Sequence, residues 1–277
     1  MVNQAYWSWI NGDFTIQPSL PISGGLIQHG YGVFETCYVE GDCIRYWDAH
    51  MERLTAACAQ YSLDFKTCSQ SLKRIAEELI IRNALREARL KISVGAKNLD
   101  YYSEGLLTSN VVLTTAPYQR KKHLVTLHPI DATKIGCPLS RYKTVNYMGY
   151  IHAKKVALTK GDTDALLLNE TGDAIETSTA NLFIKSHDQW LTPELSTYGL
   201  AGIQRDTTLK GMRELGYQIK ETSLPYLSHK QWQEGFVCNS LIGLQQIQSI
   251  GTHRLQVTSK DFIKIKEYIR SMETLEV

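Results

Sequence analysis

The chain has 277 residues, of which 43% are apolar and 21% charged, a composition typical of a folded globular protein and not of a disordered or collagen-like chain. The 30 basic and 28 acidic residues leave a formal net charge of +2, too small to attract a polyanion, so no nucleic-acid partner is expected. No apolar run approaches the roughly 20 residues that span a bilayer, and the N-terminal residues do not resemble a signal peptide. We therefore expect a cytoplasmic protein without membrane association.

The first part of the chain carries strand and helix patterns that predict a small α+β domain at residues 1–116. Asn11-Gly12 suits the type I′ turn of a hairpin, because both central residues of that turn need a positive φ. Asp48 is expected to cap a helix. The predicted strands cover 6–10, 13–17, 34–39, 43–46, 90–94 and 110–116, and the predicted helices cover 48–63 and 69–83.

A polar and basic stretch at 117–122 predicts a linker to a larger C-terminal domain at 123–277. Gly161 and Gly216 each follow an apolar periodic segment, where a glycine typically ends a helix. The predicted helices cover 147–160, 203–215 and 259–272. The predicted strands cover 123–128, 165–169, 174–175, 181–185, 190–192, 235–238 and 247–250. An irregular stretch is expected through 136–138.

The sequence lacks the commonest catalytic and metal-binding motifs. There is no Walker A loop, no G-x-G-x-x-G and no G-x-S-x-G. The six cysteines and eight histidines form no C-x-x-C pair, no H-E-x-x-H and no Cys/His cluster, so reduced thiols and no metal site are predicted.

Four local features remain as candidates for chemistry. Lys143 stands among aromatic and β-branched neighbours before a helix, where desolvation would make its amine nucleophilic; the commoner alternative for such a residue is a surface lysine in a loop. Glu176 leads a hydroxyl-rich stretch and is either a buried acid or a solvated turn residue. The helix start after Gly202 offers backbone N–H groups to an anion, as many helices do without binding one. Asn239 and Ser240 follow a strand and can either bind an anion or bond to their own turn.

Taken together and in order, segments from about residue 25 to 250 resemble the class IV (fold-type IV) pyridoxal-phosphate (PLP) enzymes. That family includes branched-chain aminotransferases, D-amino-acid aminotransferases and aminodeoxychorismate lyases. The matching segments are 30–36, 50–54, 143–146, 165–169 with Gly172, 176–183, 192–193, 202–205 and 239–243. The resemblance implies an α+β, two-domain fold like that of D-amino-acid aminotransferase, with a small N-terminal α/β domain and a larger C-terminal mixed-sheet domain. It also implies a homodimer.

The resemblance assigns roles to individual residues. Lys143 matches the lysine that binds the PLP aldehyde covalently and then moves the substrate proton. Glu176 matches the carboxylate that keeps the pyridine nitrogen protonated, and Arg53 matches the arginine on the phosphate. Further implied cofactor contacts are the backbone of Ile203 and Gln204, the loop residues Ser240 and Leu241, the ring-lining Ser178 and Thr179, and Tyr147 near the ring hydroxyl. Substrate contacts are expected from Phe34, Tyr31, Lys97 and Asn239.

Within the family, the sequence resembles the lyases most. Gln204 stands where many aminotransferases have threonine, and the stretch from Cys238 to Gly243 resembles the Asn-(Ser/Ala)-Leu-Met stretch of lyases. This implies conversion of 4-amino-4-deoxychorismate, an amine substrate, to p-aminobenzoate and pyruvate, a step toward folate. Val94 departs from the pattern because it replaces an arginine that could clamp a carboxylate; Lys97 or Arg141 could substitute. An aminotransferase acting on D- or branched-chain amino acids, and a non-catalytic PLP-binding relative, stay open as alternatives.

Overall fold

A computed structural model describes residues 6–98, 105–121, 123–131, 141–195 and 199–275. The irregular stretch predicted through 136–138, and residue 122 of the predicted linker, lie outside these ranges. The described residues form two compact units. Unit 1 contains the described residues up to Gln119 together with Tyr142–Asn146, and unit 2 contains the described residues of Arg120–Arg141 and Tyr147–Glu276. The segment Tyr142–Asn146 had been expected within the C-terminal domain, and it groups with unit 1 because its backbone bonds to a strand of that unit.

Unit 1 contains an antiparallel sheet. Its strands are β1 (Ser8–Ile10), β2 (Asp13–Thr15), β3 (Gly32–Glu40), β4 (Cys43–Ile44), β5 (Glu87–Ala96) and β6 (Ser109–Pro117), in the spatial order β2-β1-β6-β5-β3-β4. The predicted hairpin is confirmed, with Asn11 and Gly12 at φ of 52° and 120° between β1 and β2. Alternate residues of β3 and β5 point to opposite faces, so that one face of the sheet builds the core of the unit.

The helices of unit 1 are α1 (Gly25–His29), α2 (Trp47–Gln60) and α3 (Ser69–Arg82). The prediction that Asp48 caps α2 is wrong, because Tyr46 occupies the cap position in a left-handed conformation at φ 57°. Asp48 lies in the first turn, where its charge still favours the positive end of the helix dipole. The helix also ends at Gln60 and not at Leu63, since Leu63 bridges to Leu107.

Unit 2 contains a mixed sheet. Its strands are β7 (Val125–Asp131), β8 (Asp164–Leu168), β9 (Ala174–Thr177), β10 (Asn181–Ser186), β11 (Gln189–Pro193), β12 (Ile219–Thr222), β13 (Trp232–Asn239), β14 (Gly243–Ile250) and β15 (His253–Arg254). The order is β12-β11-β10-β13-β14-β7-β8-β9, with β15 on β14. Neighbours pair in parallel at β7–β8, β7–β14 and β11–β12, and antiparallel elsewhere. The fold is therefore a mixed α/β fold with two sheets, as expected.

The helices of unit 2 are α4 (Met148–Thr159), α5 (Ile203–Glu214) and α6 (Lys260–Leu275), with a 3-10 helix at Tyr226–Gln231. All three α-helices were predicted to within a few residues. Gly216 follows α5 at φ 82°, the left-handed conformation expected of a helix-ending glycine. Within the described residues, no helix is both long and apolar enough to cross a membrane.

Candidate cofactor site

Lys143 lies in an extended segment of unit 1 that pairs with the beginning of β3. Its carbonyl accepts the N–H of Phe34 at 2.8 Å, and the N–H of Val145 donates to the carbonyl of Gly32 at 3.0 Å. The backbone on both sides of the lysine is thus held against the sheet. The ammonium Nζ lies 4.7 Å from the centroid of the Phe34 ring, where a cation and an aromatic face attract each other.

The end of this segment is fastened by Asn146, whose Nδ2 donates to the carbonyl of Gly30 at 3.1 Å. Gly30 adopts a left-handed φ of 61°, and a Cβ added there would lie 2.6 Å from Asn146 Oδ1. Only glycine combines this backbone conformation with so close an approach. The Gly-x-Gly sequence before β3 and the Lys-x-x-Asn sequence are therefore complementary parts of one structure.

A second lysine shares the same aromatic ring, and the sequence analysis missed it. Lys91 on β5 places its Nζ 4.3 Å from the Phe34 centroid. Partial desolvation, and then the charge of Arg89, lower the pKa of Lys91. In the antiparallel register Lys91 lies opposite Thr36, two residues along β3 from Phe34, and therefore on the same face. No short-range pattern signals this contact, because β5 follows β3 by about fifty residues.

Arg53 is held by a buried acid that the sequence analysis did not single out. The carboxylate of Glu35 accepts bonds from Arg53 Nε at 2.7 Å and Nη2 at 2.8 Å, and lies 2.7 Å from His50 Nδ1. Glu35 and His50 are fully buried, while Arg53 is 18% exposed. Burial would raise the pKa of Glu35, but Arg53 and His50 outweigh it and hold the pKa at about 2. The arginine therefore has a fixed orientation set by an ionised partner.

The residues expected to contact substrate differ in their surroundings. Phe34 lies beside Lys143, as described. Tyr31 is half-buried, and its hydroxyl donates to the carbonyl of Tyr61 at 3.1 Å. Lys97 is exposed at the end of β5. Val94 is fully buried in the core of unit 1, so that its position offers no surface for binding a carboxylate.

In unit 2, Glu176 is buried near the end of β9 and has hydrogen-bond donors at both oxygens. Its Oε2 accepts the N–H of Leu200 at 3.1 Å, and its Oε1 accepts the hydroxyl of Tyr150 at 3.3 Å. The Tyr150 ring stacks on that of Tyr147, with centroids 4.8 Å apart. Of the two open interpretations, the structure thus favours a buried acid over a solvated turn residue.

The start of α5 lies close to Glu176, because Leu200 precedes the helix by only three residues. Ile203 and Gln204 are buried there, and no side chain caps the helix. Asn181 donates from Nδ2 to the carbonyl of Leu200 at 2.9 Å. A Cβ on Gly202 would lie 1.9 Å from Asn181 Oδ1, so that any other residue would require the Asn181 amide or the helix start to move.

Ser178 and Thr179 form the turn after β9, and their hydroxyls both point to Asp164. The Ser178 hydroxyl bonds to Oδ1, and Thr179 Oγ1 lies 2.8 Å from Oδ2. Asp164 opens β8 and is buried. The sequence analysis did not identify this acid, because its partners are brought to it only by the pairing of β8 with β9.

The loop between β13 and β14 is organised by Asn239, which donates from Nδ2 to the carbonyl of Thr179 at 2.9 Å. Asn239 Oδ1 accepts the N–H groups of Leu241 and Ile242, each at 2.9 Å. The N–H groups of Leu241 and Ile242 therefore hold the loop in one conformation. Arg120 also stabilises this loop, because its guanidinium donates hydrogen bonds to the carbonyls of Ser240 and Leu241 at 3.0 and 2.9 Å.

Unit 2 thus brings together most of the residues predicted for it. These are Glu176, Ser178, Thr179, Ile203, Gln204, Asn239, Ser240 and Leu241, with Tyr147 stacked on the tyrosine that bonds to Glu176. Unit 1 brings Lys143 to Phe34, and Arg53 to Glu35. The two sheets, the lysine beside β3 and the buried carboxylate beside a helix start are the features expected of a fold-type IV enzyme.

The chain belongs to the amino-transferase class IV family, whose profile matches residues 32–250. An aminodeoxychorismate lyase from Vibrio harveyi is 25% identical over 250 residues, covering 87% of this chain and 90% of the lyase. A protein named as a probable branched-chain-amino-acid aminotransferase from Rickettsia felis is 25% identical over 270 residues, covering 94% and 92%. The crystal structure of a branched-chain aminotransferase from Thermoproteus uzoniensis shares the fold, with a TM-score of 0.88 at 22% identity and coverage of 97% and 94%.

The family depends on pyridoxal 5′-phosphate, and the residues of this chain fit that group chemically. An amine suits the aldehyde, a buried carboxylate suits the ring nitrogen, and an uncapped helix start suits the phosphate. Gly202 supports this fit, because the absence of a side chain at that position lets the backbone enter the helix beside Asn181.

Proposed function

We propose that the protein is a PLP-dependent 4-amino-4-deoxychorismate lyase, which forms p-aminobenzoate and pyruvate in the cytoplasm as a step toward folate. The observation that carries the proposal is the loop that follows β13. Asn239 organises this loop through both ends of its amide, and the stretch Asn239-Ser240-Leu241-Ile242 resembles that of the lyases. The similarity to the Vibrio harveyi lyase over most of both chains supports the same assignment.

We assign the cofactor contacts residue by residue. When bound, PLP supplies an electron sink for the carbon next to the substrate nitrogen. Glu176 holds a proton at the ring nitrogen, and Arg53 binds the phosphate in the orientation that Glu35 imposes. The start of α5 at Ile203 and Gln204 also binds the phosphate. Contacts from Ser178, Thr179, Ser240, Leu241 and Tyr147 complete the assignment.

Lys143 is the base in this proposal. Its Nζ takes the proton from the ring carbon that bears the amino group. The bond between the neighbouring ring carbon and the ether oxygen then breaks, the ring becomes aromatic, and the enolpyruvate that leaves accepts a proton to become pyruvate. Aromatisation drives the step, so no second substrate is needed. We assign Phe34, which lies beside Lys143, to packing against the substrate ring.

A second candidate function is transamination of D- or branched-chain amino acids. The Rickettsia felis relative favours it, because the identity of 25% extends over 94% of this chain. An aminotransferase must also accept a keto acid, whereas a lyase releases pyruvate without one. The two functions therefore differ in whether a second substrate is consumed.

The deciding experiment incubates the purified protein, loaded with PLP, with 4-amino-4-deoxychorismate alone. A lyase forms p-aminobenzoate and pyruvate in equal amounts, with no keto acid added. Parallel reactions contain D-alanine or leucine with 2-oxoglutarate, and glutamate is measured. Glutamate formation without p-aminobenzoate would replace the lyase by the aminotransferase, and PLP binding without any turnover would identify a non-catalytic relative.

We also propose that the protein is a homodimer, as the family resemblance implies. Sedimentation equilibrium of the PLP-loaded, active protein is expected to give twice the chain mass of 31.4 kDa. A fully active species at the mass of one chain would refute the dimer without affecting the assigned chemistry.

A further inference from the structure

Asp164 is a buried acid that the proposed function does not use. It is 7% exposed at the beginning of β8, and its oxygens face the hydroxyls of Ser178 and Thr179. The nearest cation, Lys154 Nζ, lies 3.8 Å from Oδ2 with its own side chain 40% exposed. Because burying a carboxylate is costly unless donors surround it, these two hydroxyls hold Asp164 in this position together with the Thr177 hydroxyl at 3.3 Å and the N–H of Ala165 at 2.8 Å.

The direction of these hydrogen bonds restricts how the hydroxyls of Ser178 and Thr179 can bind another group. A hydroxyl has a single proton, so that a proton donated to Asp164 is not available to another acceptor. Ser178 and Thr179 therefore offer only lone pairs to any bound group. Their principal effect is to hold the turn between β9 and β10 in one conformation.

This turn is joined to the loop at 239–242. The carbonyl of Thr179 accepts Asn239 Nδ2, and Asn239 Oδ1 accepts the N–H groups of Leu241 and Ile242. A continuous path of hydrogen bonds thus runs from Asp164 through the turn to the loop. Since Glu176 precedes the turn by two residues, the path connects that carboxylate to the loop that contains Ser240.

We propose that Asp164 is a positioning residue for the cofactor, which sets the separation between Glu176 and the loop at residue 240. The inference rests on the proposed function, in which these two contact opposite ends of PLP. Asparagine in place of Asp164 keeps the shape but presents an NH2 donor to one of the two hydroxyls. The variant D164N therefore loses a charge-assisted bond, and the hydroxyl that faces the new NH2 must turn and accept where it had donated.

The test titrates the cofactor-free full-length protein with PLP and follows the absorbance change. D164N is expected to raise the apparent Kd at least about tenfold, the effect of losing one charge-assisted hydrogen bond. The matched control is E234Q, since Glu234 is also buried and bonded to a serine hydroxyl, at the start of α6. E234Q is expected to leave the Kd unchanged, and a Kd of D164N equal to that of the wild type would overturn the proposal.

A double-mutant cycle separates positioning from a direct contact. If Thr179 acts through Asp164, Thr179→Val should weaken PLP binding in the wild type and add little in D164N. Additive effects would overturn the positioning role. Should D164N fail to fold, Thr179→Val and Asn239→Ala provide the same cycle further along the path, with non-additivity again expected.

One more variant distinguishes failure of this inference from failure of the assigned site. Glu176→Gln is expected to change the absorption band of bound PLP, because it faces the ring nitrogen in the assignment. If E176Q leaves both the band and the Kd unchanged, the assigned site and the positioning role are both overturned. If E176Q changes them and D164N does not, only the positioning role of Asp164 is overturned.

Discussion

Acid should destabilise unit 1 through one residue, Glu35. Its carboxylate is buried under α2 and bonded to Arg53 and His50 at 2.7–2.8 Å. These partners lower the pKa of Glu35 from 4.5 to about 2, against the opposing effect of burial. The folded state therefore binds this proton more weakly than the unfolded chain, so that the stabilisation is complete above about pH 4.5 and is lost as the pH falls toward 2.

The magnitude follows from the size of the shift. With one pKa unit equivalent to about 1.4 kcal/mol, ionised Glu35 contributes about 3 kcal/mol to the free energy of unfolding at neutral pH. About 2 kcal/mol of this contribution should be lost by pH 3. Glu35→Gln should cost about 3 to 5 kcal/mol at pH 7, because Arg53 then lacks a buried counter-charge.

Urea unfolding of the wild type and E35Q, followed by circular dichroism at pH 7, 5, 4 and 3, measures both effects. The difference between the two proteins should narrow as the pH falls. The control is Glu78→Gln, whose exposed pair with Arg82 is expected to contribute at most about 1 kcal/mol at any pH. A difference between wild type and E35Q that stays constant from pH 7 to pH 3 would refute the low pKa.

Three further outcomes are expected. Lys143→Ala should abolish turnover while the urea midpoint stays within experimental error of the wild type, and retained turnover would remove this lysine from its assigned role. Gly202→Ala should weaken PLP binding, because the new Cβ would lie 1.9 Å from Asn181 Oδ1 and must displace either the helix start or the Asn181 amide that bonds to Leu200. An unchanged Kd would contradict the expectation that this junction shapes the phosphate site. Iodoacetamide should modify Cys68 before Cys238. Backbone N–H groups at a helix start lower the pKa of the exposed Cys68 thiol, whereas burial raises the pKa of the Cys238 thiol to about 12. Peptide mapping that finds the reverse order of modification would contradict this prediction.

Local patterns predicted much of the fold. The hairpin at Asn11-Gly12 and the helices before Gly161 and Gly216 were found where turn and cap chemistry placed them. The elements that were missed are short: α1 has five residues, and β12 has the sequence Ile-Lys-Glu-Thr, without an alternating pattern. Such segments acquire their conformation from neighbours, as β12 does from its parallel pairing with β11.

The candidate site was predicted less completely, and for a related reason. Residues within a contiguous motif, such as Lys143 or Glu176, can be predicted because the motif can be recognised in the sequence. Asp164, Glu35 and Lys91 were missed because each acquires its partners from another strand or helix, through sheet register or helix packing. Burial and hydrogen-bond direction, which distinguish a structural acid from a functional one, are not encoded in local spacing.

The backbone pairing of Tyr142–Asn146 with β3 has a consequence for how the protein is made. Until the ribosome has added these residues, the N–H of Phe34 and the carbonyl of Gly32 lack their partners. An N-terminal fragment that stops at Gln119 would carry this incomplete strand edge permanently, and such edges invite pairing with other chains. Lys143 and the backbone groups that complete the pairing of β3 are therefore synthesised together.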